Sequence, residues 1–193
     1  HLDVRSLRRL RPSTPLIVPR GARKWALRGG TEEVREIGIG ETIPVGAVEV
    51  TAVRAVHNAH RDRTWGEPIQ PLGYLLKARD RSVYFAGDTD LFAGMGELGG
   101  PVDVALLPVW GWGPTLGRGL HMDPLRAAES LRLIRPRAAV PIHWGTYWPH
   151  AMGRVFPERL VEPPAAFAEY ASELAPDVRV LPTAVGDVVG WTA

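Results

Sequence analysis

Residues 83–90 read Val-Tyr-Phe-Ala-Gly-Asp-Thr-Asp, an apolar run that ends in glycine and passes directly into two carboxylates. The β-branched and aromatic residues predict a buried strand, and the glycine after them predicts a turn. A carboxylate just past the end of a strand is held in a fixed direction, which both metal coordination and general-base catalysis require. Asp88 and Asp90 are therefore candidate functional residues, although two aspartates that only cap a turn would produce the same pattern.

Short apolar or β-branched runs bounded by turn residues recur on both sides of this stretch and predict further strands. They cover residues 16–18, 48–56, 74–77, 82–86, 104–107, 138–140, 178–181 and 187–191. The four residues between 74–77 and 82–86 suit a hairpin. Part of the sheet is therefore expected to be antiparallel.

Two helices are predicted in the second half of the chain. Asp123 and Pro124 form an N-cap and first-turn pair, and the helix is expected to continue to about Arg135. Pro164 begins a second helix with one apolar stripe. The stripe consists of Phe167, Tyr170, Ala171 and Leu174. Strands in the first and last thirds with helices between them predict an α/β or α+β layered domain.

Composition restricts the classes of protein to which the chain can belong. Its 193 residues are 45% hydrophobic, which is enough for one substantial core and predicts a single domain over 1–193. The formal charge of +2 does not indicate a nucleic-acid partner. Cysteine is absent, so any metal would be held by His, Asp or Glu. No apolar run is long enough to span a bilayer and no signal peptide is recognisable, which predicts a cytoplasmic protein without an integral membrane segment.

Several of the six histidines lie beside predicted strand ends. His57 and His143 each follow a strand, and His121 lies just before the helix cap at Asp123. Strands that end in His or Asp at one edge of a sheet can assemble a metal site from nitrogen and oxygen ligands. A single histidine is more often a surface or core residue, so this prediction depends on the set.

Four ordered motifs resemble the metallo-β-lactamase fold superfamily. They are FAGDT at 85–89, LLP at 106–108, HMDP at 121–124 and IHWGT at 142–146. The residues and the order of these motifs most resemble those of the branch that contains N-acyl-phosphatidylethanolamine phospholipase D and the ascorbate-6-phosphate lactonases. The resemblance implies a four-layer αβ/βα sandwich, in which two mixed sheets pack face to face with helices outside, here without its first strands.

The resemblance also implies a role for each matching residue. Asp88 matches a carboxylate that bridges two metal ions. His57 matches a ligand of the first ion and His143 a ligand of the second. His121 matches a histidine that faces the substrate without binding metal.

The beginning of the chain matches only the tail of a superfamily motif. His1, followed by Leu2 and Asp3, resembles the last histidine of His-x-His-x-Asp-His and would be a further ligand of the second ion. The first two histidines and the aspartate of that motif would precede His1. We therefore expect the parent reading frame to continue upstream with a strand and His-x-His-x-Asp, and we expect the fragment alone to be inactive.

The activity that the resemblance implies is metal-dependent hydrolysis of an ester-like bond, a phosphodiester, phosphoester or lactone, in a small-molecule or lipid-like substrate. Zinc is the expected metal, with two ions in the complete protein, and Mn²⁺ or Fe²⁺ is also compatible. A hydroxide held by the cations near Asp88 would be the nucleophile, and His121 would orient the substrate or stabilise oxyanion charge. Two alternatives stay open: a non-catalytic domain that binds a ligand or partner, and a fragment active only with the missing segment. A homo-oligomer is also left open.

Overall fold

The computed structural model describes residues 2–59, 68–110, 119–146, 155–184 and 186–190, and their strands form two sheets. The small sheet consists of β1 (Leu16–Pro19) and β2 (Val34–Ile37), which pair in parallel. The large sheet has seven strands in chain order: β3 (Thr42–Val45), β4 (Val48–Arg54), β5 (Leu72–Ala78), β6 (Arg81–Phe85), β7 (Val104–Pro108), β8 (Ala138–Ile142) and β9 (Arg179–Val180).

The large sheet is mixed. Neighbouring strands from β3 to β6 are antiparallel, and those from β6 to β9 are parallel. Since β5 is antiparallel to both of its neighbours, β4 runs in the same direction as β6, β7 and β8. The carboxyl ends of these four strands therefore lie at the same edge of the sheet.

In the described part of the chain, four α-helices flank the two sheets. They are α1 (Val4–Leu7), α2 (Arg23–Arg28), α3 (Pro124–Ile134) and α4 (Pro163–Leu174), and 3₁₀ turns cover Ala93–Gly96 and Pro157–Leu160. Helix α2 buries Ala26 against the small sheet. Helices α3 and α4 pack on the large sheet, where Tyr84, Leu107, Leu131 and Phe167 form the centre of the main core. The predicted α/β class, with two sheets between layers of helices, is confirmed.

Most predicted elements are present, with shifted ends. The strand predicted at 48–56 ends at Arg54, and the helix predicted to Arg135 ends at Ile134. The hairpin loop is shorter than predicted, because Ala78 and Arg81 pair within the ladder. Within the described ranges, no helix is long and apolar enough to cross a membrane.

The strand predicted at 187–191 is wrong in its described part. Residues 186–190 form no strand, and Val188 is 95% exposed. A β-branched run forms a strand only where another strand accepts its backbone hydrogen bonds.

Strands β2 and β3 and helix α2 were not predicted. Strand β3 contains Pro44, which argues against a strand, but β3 lies at the sheet edge, where the missing N–H removes no ladder bond. Helix α2 has no side-chain hydrogen bond at its N-cap, Ala22, and buries only Ala26, so neither a cap nor an apolar stripe marks it in the sequence.

Candidate metal centre

Three strand ends and one helix entry carry the four candidate residues to one edge of the large sheet. His57 follows the end of β4, Asp88 follows β6, and His143 comes directly after β8. His121 lies shortly before α3. Because β4, β6 and β8 run in the same direction, their following residues meet at that edge.

The side chains of these residues face one another. His57 Nε2 is 3.2 Å from His121 Nε2, and His121 Nε2 is 3.9 Å from Asp88 Oδ2. His143 Nε2 is 3.4 Å from the other carboxylate oxygen, Asp88 Oδ1. The rings of His121 and His143 stack with centroids 5.1 Å apart. The Asp88 carboxylate therefore lies between two histidines, one on each of its oxygens.

Backbone carbonyls orient two of the three rings. His143 Nδ1–H donates to the carbonyl oxygen of Trp110 at 2.9 Å, and His57 Nδ1–H donates to that of Asn58 at 3.2 Å. In a neutral imidazole whose Nδ1 carries the proton, Nε2 is an acceptor. This is the arrangement by which proteins prepare a histidine to bind a metal ion through Nε2.

The donor set fits a divalent cation. His143 Nε2 and Asp88 Oδ1 are two acceptors that face each other at 3.4 Å, so they repel unless a cation or a proton lies between them. Two nitrogen ligands about 2.0–2.1 Å from zinc are roughly 3.3 Å apart at the tetrahedral angle. One ligand atom each of His57, Asp88 and His121 lie within 4.8 Å of one another. Separations of this size allow ligands to share one ion.

Two unusual backbone conformations hold the site in place. His143 has φ +60°, a left-handed conformation that is costly for a residue with a side chain. Gly87, directly before Asp88, has φ +65°, and a Cβ there would lie 3.0 Å from the carbonyl oxygen of Leu72. Glycine is therefore required where the chain turns to present Asp88.

A cavity of about 730 Å³ lies between the two sheets beside the site. Its apolar walls include Ile17 and Pro19 from β1 and Tyr74 and Phe85 from the large sheet. Three of the candidate residues also line it: His57, Asp88 and His143. A molecule in this cavity would have its polar end at the candidate residues.

The second aspartate of the Asp-Thr-Asp stretch has a structural contact instead. Asp90 is 7% exposed, and its Oδ1 accepts from Arg126 Nε at 2.7 Å. Hydrogen bonding to Asp90 raises the pKa of Arg126 above its ordinary value. Asp90 thus joins the turn to helix α3, while Asp88 faces the histidines.

His1, the remaining predicted ligand, lies outside the described residues. Its neighbour Leu2 lines the same cavity as Asp88. The geometry places His121 among the residues that could hold an ion. The resemblance, by contrast, implies that His121 faces the substrate without binding metal. The orienting carbonyls of Asn58 and Trp110 were missed, because every residue has a carbonyl and no sequence signal marks the ones that matter.

Four tryptophans lie in or beside the segments that carry the motifs: Trp110, Trp112, Trp144 and Trp148. Trp110 is buried, and Trp144 packs against the main core. Packing therefore accounts for these two. Trp112 and Trp148 lie outside the described residues.

Comparison with known proteins identifies several relatives. A family model described as a beta-lactamase superfamily domain matches residues 1–144. A UPF0173 metal-dependent hydrolase from Methanopyrus kandleri is 36% identical over 163 residues, which are 81% of this chain and 63% of the relative. The N-acyl-phosphatidylethanolamine-hydrolyzing phospholipase D 1 of Caenorhabditis elegans is 30% identical over 170 residues, 76% of this chain and 46% of that protein.

A solved structure has the same fold. Igni18, a metallo hydrolase from the archaeon Ignicoccus hospitalis, aligns with a TM-score of 0.69 at 22% identity and covers 91% of this chain and 68% of its own. The chain spans about half to just under two thirds of the length of curated relatives such as the Methanopyrus and Caldivirga hydrolases.

Proposed function

The chain belongs to the beta-lactamase superfamily, and on this premise we propose that it is a metal-dependent hydrolase, with His57, Asp88 and His143 as metal ligands. One observation carries the proposal: the acceptor nitrogen of His143 faces the Asp88 carboxylate at 3.4 Å. Relatives that share over a third of the aligned residues are named metal-dependent hydrolases.

Each side chain has a distinct task in this proposal. His57 and His143 hold metal through Nε2, because their Nδ1–H groups donate to backbone carbonyls. Asp88 supplies the negative charge, and its Oδ1 faces the ligand nitrogen of His143 at 3.4 Å, while Oδ2 stays on the side of His121. When bound, divalent cations such as zinc activate water for attack near neutral pH and polarise the bond to be cleaved. Imidazole and carboxylate ligands also accept Mn²⁺ or Fe²⁺.

His121 has the task of orienting the substrate and stabilising the charge that develops on it. Its ring stacks on His143, and its Nε2 points to the space between His57 and Asp88. A donor placed where charge develops typically contributes a hundredfold or more in rate. The distance to His57 supports a second assignment, in which His121 is itself a metal ligand.

The substrate in this proposal is an ester-like compound, a phosphodiester, phosphoester or lactone, with an apolar part. The cavity beside the site supports this assignment, since apolar walls favour a hydrocarbon group while the reacting bond lies at the polar end. The phospholipase relative is named for hydrolysis of a phospholipid, which also has an apolar part.

Replacing Asp88 tests the proposal. Asp88→Asn removes the negative charge at nearly unchanged volume, so it should abolish most metal binding and all measurable hydrolysis. The measurements are metal content by mass spectrometry and rates on an aryl ester and an aryl phosphodiester, made on the full-length gene product.

Asp103→Asn is the matched control for this experiment. Asp103 is as buried as Asp90, and its carboxylate accepts from Ser82 at the opposite end of β6. The control variant should lose stability and keep both metal and rate. An Asp88→Asn variant that retains metal and rate would contradict the proposed site, and a metal-loaded wild type without hydrolysis would contradict the enzymatic function.

A further inference from the structure

Thr89 lies where three site-bearing segments meet. The N–H of Val56, directly before His57, donates to Thr89 Oγ1 at 2.9 Å. The N–H of Met122, directly after His121, donates to the Thr89 carbonyl oxygen at 3.0 Å. Thr89 itself follows Asp88. One residue thus connects the segments of two histidines to the carboxylate between them.

Only one of these connections depends on the threonine side chain. The Met122 bond uses only backbone atoms. The segment of His57 also has a backbone bond to this turn, in which Asp90 N–H donates to the Val56 carbonyl at 2.8 Å. The hydroxyl accepts from Val56 and donates to the Asp90 carbonyl at 2.8 Å. Because Thr89 is 0% exposed, water is poorly placed to replace the hydroxyl.

We infer that Thr89 is a positioning residue, whose hydroxyl sets the distance between His57 and Asp88 before metal binds. This inference rests on the proposed function, since it concerns the affinity of that same site. Groups that orient metal ligands typically contribute about 10- to 100-fold in metal affinity. Without the hydroxyl, one of the two described hydrogen bonds that join Val56 to the turn after Asp88 is lost, and the ring of His57 would be less well aligned.

The inference is tested by zinc titration of the full-length gene product, with competition against a chromophoric chelator. Thr89→Val keeps the shape and removes the hydroxyl, so the zinc dissociation constant should rise about tenfold or more. Thr89→Ser keeps the hydroxyl and should restore the wild-type constant within about twofold. Recovery by serine separates positioning from loss of core volume, because serine is the smaller residue.

Ser82→Ala is the matched control. Ser82 is a buried hydroxyl at the other end of the same strand, where it donates to the Pro101 carbonyl at 2.8 Å and accepts from Asp103 N–H at 3.0 Å. Its loss should lower the unfolding temperature without changing the zinc constant. A Thr89→Val variant that binds zinc as tightly as wild type would overturn the inference and leave the proposed function intact.

Two further results keep the test decisive. A wild-type full-length gene product that does not bind zinc would overturn both the inference and the proposed function. Should Thr89→Val not fold, amide hydrogen exchange of the wild type decides the question. If the Thr89 hydroxyl holds the segment of His57, the Val56 N–H that donates to it is protected from exchange at least as strongly as the Met122 N–H. Rapid exchange at Val56 would overturn the inference.

Discussion

His121 lies between the two other histidines of the site. Its ring meets that of His57 edge-on, with centroids 4.7 Å apart, and stacks on that of His143. Its side chain is 10% exposed. This position suits a residue that acts on the substrate, and it would also allow His121 to bind an ion held by Asp88 in the proposed site.

Replacing His121 separates the two roles. In the full-length gene product, we expect His121→Ala to retain its metal and to slow turnover by about a hundredfold or more, because a donor to developing charge is lost. Metal content and the hydrolysis rate are measured on the same preparation. His143→Ala serves as the comparison and should lose metal. Loss of metal from the His121 variant would assign His121 to the ligands instead.

At the scale of elements, the entry to helix α3 is closely connected to the site. Asp123 is the N-cap, and its side chain accepts from the N–H of Arg126 at 2.9 Å. The Arg126 side chain in turn donates to Asp90, two residues after Asp88. The first turn of α3 therefore fixes both the segment of His121 and the turn that follows β6.

We expect Asp123→Ala to lower the free energy of unfolding by about 1 kcal/mol, because an N–H in the first turn of α3 loses its partner. Asp123→Asn is the matched control and should be close to wild type, since asparagine caps equally well. Urea unfolding followed by circular dichroism measures both variants. Equal stability of the alanine variant and wild type would show that the cap contributes nothing.

At the scale of the whole molecule, one buried hydroxyl predicts that the fold loses stability at alkaline pH. Tyr84 lies in the main core with 0% exposure, and among the described residues its hydroxyl has no hydrogen-bond partner. Burial raises the pKa of Tyr84 well above the usual value of 10.0 for tyrosine. Burial also raises the pKa of Tyr74.

The sign of the pH effect follows from the direction of these shifts. Below about pH 10 both the folded and the unfolded chain keep the phenol proton, so tyrosine ionisation does not change the free energy of unfolding. Above it, the unfolded chain releases the proton while folded Tyr84 retains it. The free energy of unfolding should therefore fall as the pH rises above about 10.

Tyr84→Phe should flatten this alkaline loss, leaving the part due to Tyr74. It should also raise the free energy of unfolding near neutral pH by about 1 kcal/mol, because a buried hydroxyl without a partner is removed. Urea unfolding between pH 7 and 11 measures both effects. Tyr170→Phe is the control, since Tyr170 is 38% exposed. An unchanged alkaline slope in Tyr84→Phe would refute the explanation.

Local signals in the sequence predicted a large part of the fold. Turn residues on both sides of 82–86 and 104–107 marked two core strands, and Asp123-Pro124 marked the beginning of α3. The resemblance to the metallo-β-lactamase superfamily, carried by four short motifs, is confirmed by the family match over 1–144 and by the shared fold. The metal-ligand and substrate-facing roles of the candidate residues stay predictions.

The sequence by itself determined which residue types are available to the site and which segments favour strand or helix, because neighbours along the chain set backbone preference, capping and turns. Only the tertiary structure decided which segments meet. Residues 187–191 have the composition of a strand, yet the described part has no partner strand, while β3 forms despite its proline because β4 pairs with it. The ligand atoms of His57 and Asp88 lie within 4.8 Å of each other because β4 pairs with β5 and β5 with β6. The tautomer of His143 depends on the Trp110 carbonyl, 33 residues away in sequence. Such contacts form only when the sheet brings distant segments together, so no local pattern encodes them.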